Sequence, residues 1–394
     1  MAHKYRLQPS DQQLPVLGMH CAHARAVWNV ALEQANLYRR HWGPTPNAAQ
    51  RQRELAEARR SSWLGEGSSS VQQQALRDFD QAMRNWWAGT HGRPTWRTKD
   101  RNNSFRVRDV NVRKINRRWA ELTVPKLGYV RFRLTRPLPV EYGMATISMD
   151  RAGRWHVSFT APQPTFERTT TGRTVGVDVG VVHTLTLSTG EHLDMPALLT
   201  PGEAQRKVRL QRRLARQRKG SNRRERTKRS IAKLSAREVD RRNDWIEQTT
   251  TRLVRSFDLI AVEDLAVKNM VRSASGTVAE PGTNVAQKRG LNRAIHRQSW
   301  AKWRTRLEQK AAAATEQCQV IAVNPRGTSQ RCACCGHIDP NNRESQAVFV
   351  CRACGIKRNA DVNASENLEA AGLAVTGRGG RHGAPGEAST TRAA

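Results

Sequence analysis

Two matched pairs of cysteines constrain the fold of this chain more than any other feature of its sequence. Cys332 and Cys335 form one Cys-x-x-Cys pair, Cys351 and Cys354 form the other, and a glycine follows each pair directly. The 15 residues between the pairs give the spacing of a zinc ribbon, in which four thiolates hold one Zn²⁺ in a closed tetrahedral site. We therefore predict a structural metal site rather than a catalytic one.

The sequence gives less reason to assign a function to the other three cysteines. Cys334 is a spare thiol that would replace Cys335 if the turn shifted. Cys21 and Cys318 lie in apolar surroundings and are expected to pack as small hydrophobic side chains. Because four of the seven cysteines fall in the two pairs, the pattern favours metal binding in a reducing compartment over disulfides.

The chain is strongly basic. It has 67 Lys plus Arg against 34 Asp plus Glu, a formal net charge of +33. Such an excess repels itself and predicts a polyanionic partner, although basic faces that bind nothing in particular are the alternative. No apolar stretch approaches the ~20 residues of a membrane-spanning helix, and the N-terminal residues lack the apolar core of a signal peptide. We therefore expect a cytoplasmic, nucleic-acid-binding protein with no membrane partner.

The N-terminal half predicts a curled β-sheet or small β-barrel interrupted by helices. After the strand "KYRLQP", helical periodicity occupies residues 11–90, and short alternating strands follow at 105–159. Trp28, Trp86 and Trp87, in the helical part, are expected to pack in a core rather than to stack on bases. Arginines on the strand faces opposite the apolar residues are expected to contact phosphates: Arg106, Arg108, Arg131 and Arg133.

The C-terminal half predicts an α/β sheet. "VGVDVG" and "FDLIAVEDL" are apolar runs typical of buried strands, and the second has the character of a parallel strand. Between them, residues 206–229 carry 13 Lys or Arg in 24 positions, with an intermittent apolar face that indicates a pair of helices. A loop at 272–290 and one long helix are predicted before the strand "QVIAVNP". The last residues lack apolar side chains, which predicts disorder.

Three acidic residues stand out in this half. Asp178 lies within an apolar strand, where an unpaired charge is costly to bury, and Glu263 ends the predicted parallel strand, where open α/β sheets bind ligands. Asp361 begins a helix, where an acid often only caps the helix. Three carboxylates at one sheet edge would repel each other unless cations neutralise them. Two Mg²⁺ ions ~3.5–4 Å apart would do so and would promote hydrolysis of a phosphodiester.

Several segments resemble the TnpB family, whose members are RNA-guided DNA nucleases encoded by insertion sequences and related to type V CRISPR effectors. Three of them resemble the RuvC-like nuclease segments of that family: "VGVDVGVVHTLTLS", "FDLIAVEDLAVKNM" and "TSQRCACCGHIDPNNRESQAVFVCRACGIKRNADVNASENL". "GRPTWRTKDRNNSFRV" and "VPKLGYVRFRLTRPLP" resemble its N-terminal half. The resemblance extends over about residues 3–370, and no catalytic motif departs from the family pattern.

The resemblance implies an α+β multidomain protein. Its expected parts are an N-terminal wedge β-barrel at 1–10 and 91–170, an inserted helical recognition unit at 11–90, an RNase H-like (RuvC) α/β nuclease domain at 171–325 and 356–372, an inserted four-cysteine zinc ribbon at 326–355, and a disordered tail at 373–394. In such a fold the ribbon lies between the last core strand and the helix that carries Asp361, so its folding would determine where that helix starts.

The same resemblance implies the site residues and the partners. Asp178, Glu263 and Asp361 would be catalytic and hold two Mg²⁺, and the paired cysteines would hold one structural Zn²⁺. Guide RNA and target double-stranded DNA would be the partners, with one copy of the chain per guide RNA, at the nucleoid of a bacterial cytoplasm. The arginines expected to contact nucleic acid are Arg131, Arg133, Arg206, Arg209, Arg212, Arg213, Arg216, Arg223 and Arg224.

Three alternatives stay open at this point. A compact type V CRISPR effector would differ mainly in the source of its RNA. A nuclease-independent, RNA-guided DNA-binding repressor would be expected to have lost carboxylates, and all three are present. A guide-free resolvase or transposase could use the same carboxylates, but would not need the predicted barrel and recognition unit.

Overall fold

A computed structural model of the chain describes residues 2–38, 43–99, 101–277 and 279–379. The chain divides into two compact units. One consists of Met1–Gln163 and Pro201–Ala236, and the other of Pro164–Thr200 and Arg237–Ala394. Among the described helices, none combines the length and the apolar character needed to cross a membrane.

The first unit is built on a seven-stranded antiparallel sheet. Its strands are β1 (Ala2–Gln8), β2 (Ser104–Val107), β3 (Val112–Lys114), β4 (Trp119–Val124), β5 (Gly128–Arg133), β6 (Ala145–Met149) and β7 (Trp155–Thr160), in the order β2-β6-β7-β1-β5-β4-β3. Because β1 pairs with both β7 and β5, the prediction that the N-terminal strand joins this sheet is confirmed. Buried and exposed residues alternate along β5, as in a sheet with one face on a core.

Three helices of the first unit lie between β1 and β2 in the sequence: α1 (Gln13–Leu37), α2 (Ala48–Ser61) and α3 (Ser69–Trp87). Their apolar faces and one face of the sheet form a single core. Trp28 packs edge-on against Phe79 in that core, with 5.4 Å between ring centroids, as expected for a core residue. Trp87 is 62% exposed, so the expectation of a core role is wrong for that residue, which ends its helix.

The second unit contains a five-stranded mixed sheet. Its strands are β8 (Thr174–Val179), β9 (Leu185–Leu187), β10 (His192–Leu193), β11 (Leu259–Glu263) and β12 (Gln319–Val323), in the order β10-β9-β8-β11-β12. β11 pairs in parallel with β8 on one side and β12 on the other, which confirms the predicted buried parallel strand. The parallel arrangement brings the carboxyl ends of β8 and β11 to the same edge of the sheet.

The remaining helices are α4 (Pro201–Arg216), α5 (Asn222–Ser256), α6 (Val267–Met270), α7 (Val285–Gln298), α8 (Trp300–Ala312) and α9 (Ala360–Gly379). The helical pair predicted at 206–229 is confirmed by α4 and α5. The single long helix predicted after residue 290 is wrong, because two helices meet at Ser299, whose φ of 56° lies in the left-handed region. Residues 373–379 continue α9, and the rest of the predicted tail lies outside the described residues.

A short antiparallel hairpin, β13 (Val348–Val350) and β14 (Lys357–Asn359), joins the second cysteine pair to α9. The cysteine-rich segment thus lies between β12 and α9 in the sequence, and α9 begins one residue before Asp361. Asn359, not Asp361, caps the helix: its side-chain oxygen accepts hydrogen bonds from the backbone N–H of Asp361 at 2.9 Å and of Val362 at 3.1 Å. The Asp361 carboxylate is therefore not engaged in capping.

Candidate active site and metal centre

The four paired cysteines converge on one point. The Sγ atoms of Cys332, Cys335, Cys351 and Cys354 all lie within 4.8 Å of one another, with 3.8 Å between Cys332 and Cys354 and 3.5 Å between Cys335 and Cys351. Four sulfurs ~2.3 Å from a central Zn²⁺ are about 3.8 Å apart, whereas a disulfide joins sulfurs at ~2.05 Å. The arrangement therefore fits a tetrahedral zinc site and not two disulfides.

The thiols of this cluster differ in acidity. The backbone N–H of Cys354, which donates to the Sγ of Cys351 at 3.5 Å, is the main cause of the lowered pKa of the Cys351 thiol, about 6, whereas desolvation and hydrogen bonds with neighbouring thiols raise the pKa of Cys335 and of Cys354. Zinc binds the deprotonated form of cysteine, so Cys351 is the thiol best prepared for a metal, and a bound Zn²⁺ would lower the pKa of the others. Cys334 is exposed and does not belong to the cluster, whose second thiol is that of Cys335.

Two buried asparagines of α9 connect the helix to the first cysteine pair through hydrogen bonds. Asn363 accepts a hydrogen bond from the backbone N–H of Ala333 at 3.0 Å and donates to the carbonyl of Arg331 at 2.7 Å. Asn367, one turn further along, donates to the carbonyls of Arg331 at 2.7 Å and Thr328 at 2.9 Å. Asn363 is fully buried and stands two residues after Asp361. The cysteine turn therefore holds the start of the helix that carries the carboxylate.

Helix α9 also lies directly on strand β8. A Cβ at Gly176 would be 1.8 Å from the carbonyl oxygen of Ser365, so only glycine permits this approach of helix to strand. Thr174, two residues earlier on β8, donates a hydrogen bond to Glu369, four residues further along α9. Four helical residues and two strand residues span similar lengths, ~6.0 and ~6.6 Å. The same antiparallel alignment, continued, places Asp361 of α9 alongside Asp178 of β8.

Strand register brings the third carboxylate to the same edge. Val262 of β11 is the parallel partner of Val177 of β8, so the next pair along the two strands is Glu263 and Asp178. Burial is the main cause of a rise in the pKa of Asp178 to about 7, and the negative charges of Glu263 and then Asp361 raise it further. Burial also raises the pKa of Glu263. The structure thus groups all three predicted carboxylates in one electrostatically coupled site.

One cation that the sequence analysis did not single out faces this site. Arg343 Nη2 lies 3.2 Å from Asp361 Oδ1, and the positive charge of Arg343 opposes the pKa rise of both Asp178 and Glu263. Thr328 Oγ1 approaches Glu263 Oε1 at 3.5 Å, also from the cysteine-rich segment. In the sequence Arg343 is one of several arginines near the cysteines, and no spacing or neighbouring residue distinguishes it.

The three carboxylates offer oxygen donors, which are the ligands that hard divalent cations prefer. Bound cations would relieve the repulsion that contributes to the raised pKa of Asp178.

The arginines predicted to bind nucleic acid differ in their surroundings. All five predicted arginines of α4 are exposed, as expected for binding, and so is Arg223 at the start of α5: Arg206, Arg209, Arg212, Arg213, Arg216 and Arg223. Arg224 instead donates to the carbonyls of Leu214 and Gln217, so its guanidinium stabilises the turn between the two helices. On β5, Arg133 is exposed, and Arg131 lies 3.5 Å from Glu121.

Comparisons with known proteins agree with these features. A family model described as "OrfB_IS605: Probable transposase" matches residues 156–274, and one described as "Cas12f1-like, TNB domain" matches residues 300–368. The chain is 35% identical over 378 residues to the "Putative RNA-guided DNA endonuclease InsQ" of Escherichia coli (strain K12), covering 95% of this chain and 92% of that protein. It is 32% identical over 386 residues to a "Putative RNA-guided DNA endonuclease" of Streptomyces pristinaespiralis, covering 96% and 90%.

A solved structure has a similar fold. A protein chain in a cryo-EM structure of a Cas12f1–sgRNA–target DNA complex aligns with 91% of this chain and 82% of its own length, with a TM-score of 0.52 and 12% identity. That likeness concerns the mixed α+β fold alone. A shorter match of 50% identity over 64 residues, 16% of this chain, relates it to the "CRISPR-associated endodeoxyribonuclease Cas12f1" of Sulfoacidibacillus thermotolerans.

Proposed function

The chain belongs to the TnpB family, and we propose on that basis that it is an RNA-guided DNA endonuclease of an insertion sequence. The observation that carries the proposal is the grouping of Asp178, Glu263 and Asp361, whose mutual repulsion contributes to the raised pKa of Asp178. A repressor that only bound DNA would have no use for this costly arrangement. The net charge of +33 supports polyanionic partners, here a guide RNA and target double-stranded DNA.

The three carboxylates are the residues that would hold Mg²⁺. When bound, two such ions supply neutralisation of the phosphate and an attacking water of lowered pKa. The protein contributes the fixed positions of the carboxylates, which strand register and the packing of α9 on Gly176 support. Arg343 adds a positive charge beside Asp361, so the site tolerates three acidic groups before a cation binds.

The same proposal assigns a role to the two sheets and to the arginines of α4. The sheet of the first unit would be the wedge β-barrel (1–10 and 91–170) around the helical recognition unit (11–90), and the five-stranded sheet would be the core of the RuvC-like domain. Guide RNA would contact mainly the exposed arginines of α4, through phosphates. Base pairing would select the target, after a short motif in the duplex is read by the protein. We take one chain per guide RNA, in the bacterial cytoplasm.

A compact CRISPR effector is the second candidate. The 64-residue match to a Cas12f1 protein favours it, because the matched protein is named a CRISPR-associated endodeoxyribonuclease. The chemistry at the carboxylates would be the same in both cases, and only the source of the RNA differs. Sequencing the RNA that copurifies with the protein separates them: a transposon-end transcript supports the first proposal, and a CRISPR repeat supports the second.

The direct test is cleavage by the protein purified with its RNA. We expect a double-stranded DNA carrying the paired sequence to be cut in Mg²⁺, and to stay intact without the RNA or with a chelator. Asp178→Ala, Glu263→Ala and Asp361→Ala should each lower the cleavage rate at least ~1,000-fold, about 4 kcal/mol of barrier, because each removes a metal ligand. Binding of RNA and DNA should persist in all three variants. A single variant that cuts near the wild-type rate would remove that residue from the site.

The arginines of α4 provide a separate test of RNA binding. Replacing Arg209, Arg212, Arg213 and Arg216 with Gln should weaken binding and reduce the slope of log affinity against log salt by ~0.7–0.9 per lost phosphate contact. A control with the same charge change replaces four exposed arginines elsewhere in the first unit: Arg53, Arg60, Arg117 and Arg118. If both sets of variants change the slope equally, or neither does, α4 is only a solvated basic face.

A further inference from the structure

The end of α3 and the segment after it combine positive charge with exposed aromatic side chains. From Gln81 to Lys99 the sequence has four Lys or Arg, three Trp and no Asp or Glu. Two of these tryptophans are largely open to solvent, since Trp87 is 62% exposed and Trp96 is 54% exposed. Exposed tryptophan beside arginine is typical of binding surfaces. A partner that covers this surface must offer apolar faces together with negative charge.

Trp96 occupies a fixed position although its side chain is exposed. Helix α1 holds the backbone on both sides of it. The indole N–H of Trp28 donates to the carbonyl of Thr95 at 3.0 Å, and the side chain of Asn29 accepts from the N–H of Arg97 at 2.8 Å and donates to its carbonyl at 3.0 Å. The Arg97 guanidinium also lies 3.6 Å from the centre of the Trp28 ring. Because its neighbours are already held, little backbone freedom is lost when a ligand binds to Trp96.

Trp96 forms part of the wall of an open cavity of about 340 Å³ in the first unit. The size lies within the ~300–1,000 Å³ that is typical of pockets for small organic groups. Two amides, Asn85 and Asn102, also line it. Their side-chain oxygens accept hydrogen bonds from Gln81 at 2.8 Å and from the backbone N–H of Thr98 at 3.0 Å. Within the described residues the N–H groups of the two amides donate no hydrogen bond, so both can serve an acceptor on a ligand.

We propose that this cavity receives one unpaired nucleobase of the guide RNA, which stacks on Trp96. The inference rests on the proposed function, which gives the chain a guide RNA. A nucleobase combines apolar faces, which stack on aromatic side chains, with an edge that carries hydrogen-bond acceptors. The exposed indole suits the face, the amides of Asn85 and Asn102 suit the edge, and Arg93, exposed at the same cavity, adds positive charge for an adjacent phosphate.

RNA is the nucleic acid that the chemistry of the cavity favours. Stacking on an indole requires a base whose face is uncovered, and the loops, bulges and ends of folded RNA supply such bases. Duplex DNA stacks its bases on one another and is read at the base edges in its grooves. A tryptophan that is 54% exposed in the free chain also suits a partner that stays bound, as a guide RNA does. A base of the target DNA and a second copy of the chain are the other occupants that the experiment tests.

The test measures binding of the full chain to its copurifying RNA, prepared by transcription. Trp96→Ala should weaken binding about tenfold, within the range for loss of one base–aromatic stack, and Trp96→Phe should retain most of the affinity. In both variants the slope of log affinity against log salt should stay at the wild-type value, since no phosphate contact is lost. An unchanged slope separates stacking from the arginine contacts of α4, whose loss reduces the slope.

Trp63 provides the matched control. It is 51% exposed, lies in the same unit and does not line the cavity, so Trp63→Ala removes an indole of similar exposure. The affinity of Trp63→Ala for the RNA should stay at the wild-type level. Thermal unfolding of both alanine variants verifies that each has kept its fold.

A scan with abasic nucleotides identifies the base. Each RNA lacks one base at an unpaired position but keeps every phosphate. We expect one position at which the wild-type protein binds about tenfold more weakly. At that position Trp96→Ala should show no further loss, because the two changes remove the same stack, and Trp63→Ala should remain as sensitive as the wild type. The same scan in the target DNA, read with the RNA-loaded protein, should show no coupling to Trp96.

Each outcome bears on one idea. A flat RNA scan, or equal affinities of Trp96→Ala and Trp63→Ala, overturns the cavity assignment, and a wild-type protein that still cuts leaves the nuclease proposal intact. Coupling of Trp96 to a base of the target DNA overturns the choice of RNA. A Trp96→Ala protein that loses mass in light scattering and keeps its RNA affinity assigns the surface to a second copy. If the wild-type chain neither retains an RNA nor cuts DNA with it, the proposed function falls, and this inference with it.

Discussion

The cysteine cluster and the carboxylate site of the second unit are built in opposite ways. The four cysteines come from one segment, residues 332–354, and their sulfurs meet because two tight turns and a short hairpin bring them together. The carboxylates come from positions 178, 263 and 361, on two strands and a helix. The cysteine site is therefore local in sequence, and the carboxylate site exists only in the folded unit.

The two sites also differ in how charge is balanced. The cluster is closed, with four ligands for one tetrahedral ion and no place for a substrate. At the carboxylates, burial and like charges raise the pKa of Asp178 to about 7, and within the described residues one arginine, Arg343, faces them. A structural centre can complete its own coordination, whereas the proposed catalytic centre must keep coordination positions open for ions and a phosphate. The residues that connect the two centres are Asn363 and Asn367.

The strongest test of this connection removes a cysteine ligand. Cys351→Ser should lose the zinc and lower cleavage at least ~100-fold, although no carboxylate is altered, because the turn that holds α9 is no longer fixed. Zinc content by metal analysis and the cleavage rate are the two measurements. The cleavage rate should fall less than after removal of a carboxylate, because Asp361 is still present and occupies its position for part of the time.

Cys334→Ser is the matched control for this change. It alters an exposed cysteine in the same turn, outside the cluster, so zinc content and cleavage should both stay at the wild-type level. If Cys334→Ser loses zinc while Cys335→Ser keeps it, the ligand set is different from the one assigned here. If Cys351→Ser loses zinc and still cuts at full rate, the two centres are independent.

A smaller effect is expected from Asn363→Ala. The change leaves all four cysteines and three carboxylates in place but removes the hydrogen bonds to Ala333 and Arg331. Cleavage should fall ~10-fold, the size of effect seen when a residue that orients metal ligands is lost, and more Mg²⁺ should be needed for half-maximal rate. Zinc content should be unchanged, since no zinc ligand is lost.

The conservative variant Asn363→Gln separates positioning from general destabilisation. It retains an oxygen to accept from Ala333 and an N–H to donate to Arg331, on a side chain one methylene longer, so it should restore part of the rate and of the Mg²⁺ dependence. Loss of the partly buried hydrogen bond to the Ala333 N–H in Asn363→Ala would itself cost about 1 kcal/mol of folding stability. A lower melting temperature with an unchanged Mg²⁺ requirement would make Asn363 a purely structural residue.

Much of the architecture could be predicted from the sequence because it depends on local patterns. Alternation predicted the strands of the first unit, the continuous apolar run around Ile260 predicted a buried parallel strand, and the spacing of cysteines predicted their convergence. Gly176 lies on the same strand face as Asp178, where the lack of a side chain leaves room for a close approach. The partner in that approach, Ser365 of α9, is 189 positions away in the sequence, and no local pattern identifies it.

Other features depend on contacts that no local pattern encodes. The break at Ser299 interrupts a helical periodicity that continues through both helices, and the exposure of Trp87 depends on which face of α3 the rest of the unit covers. Arg343 is one of several arginines near the cysteines, and its contact with Asp361, 18 residues further along the chain, depends on how the cysteine-rich segment folds against α9.

By itself, the sequence determined which residues could do chemistry: four thiolates at metal-binding spacing, and three carboxylates at strand and helix ends. The tertiary structure alone decided which of them interact and with what. Spacing along a chain determines distances over a few residues, because the backbone between them has few conformations. Distances between strands and helices far apart in sequence depend on packing, and here the packing of α9 on Gly176 sets Asp361 beside Asp178 and Arg343 opposite.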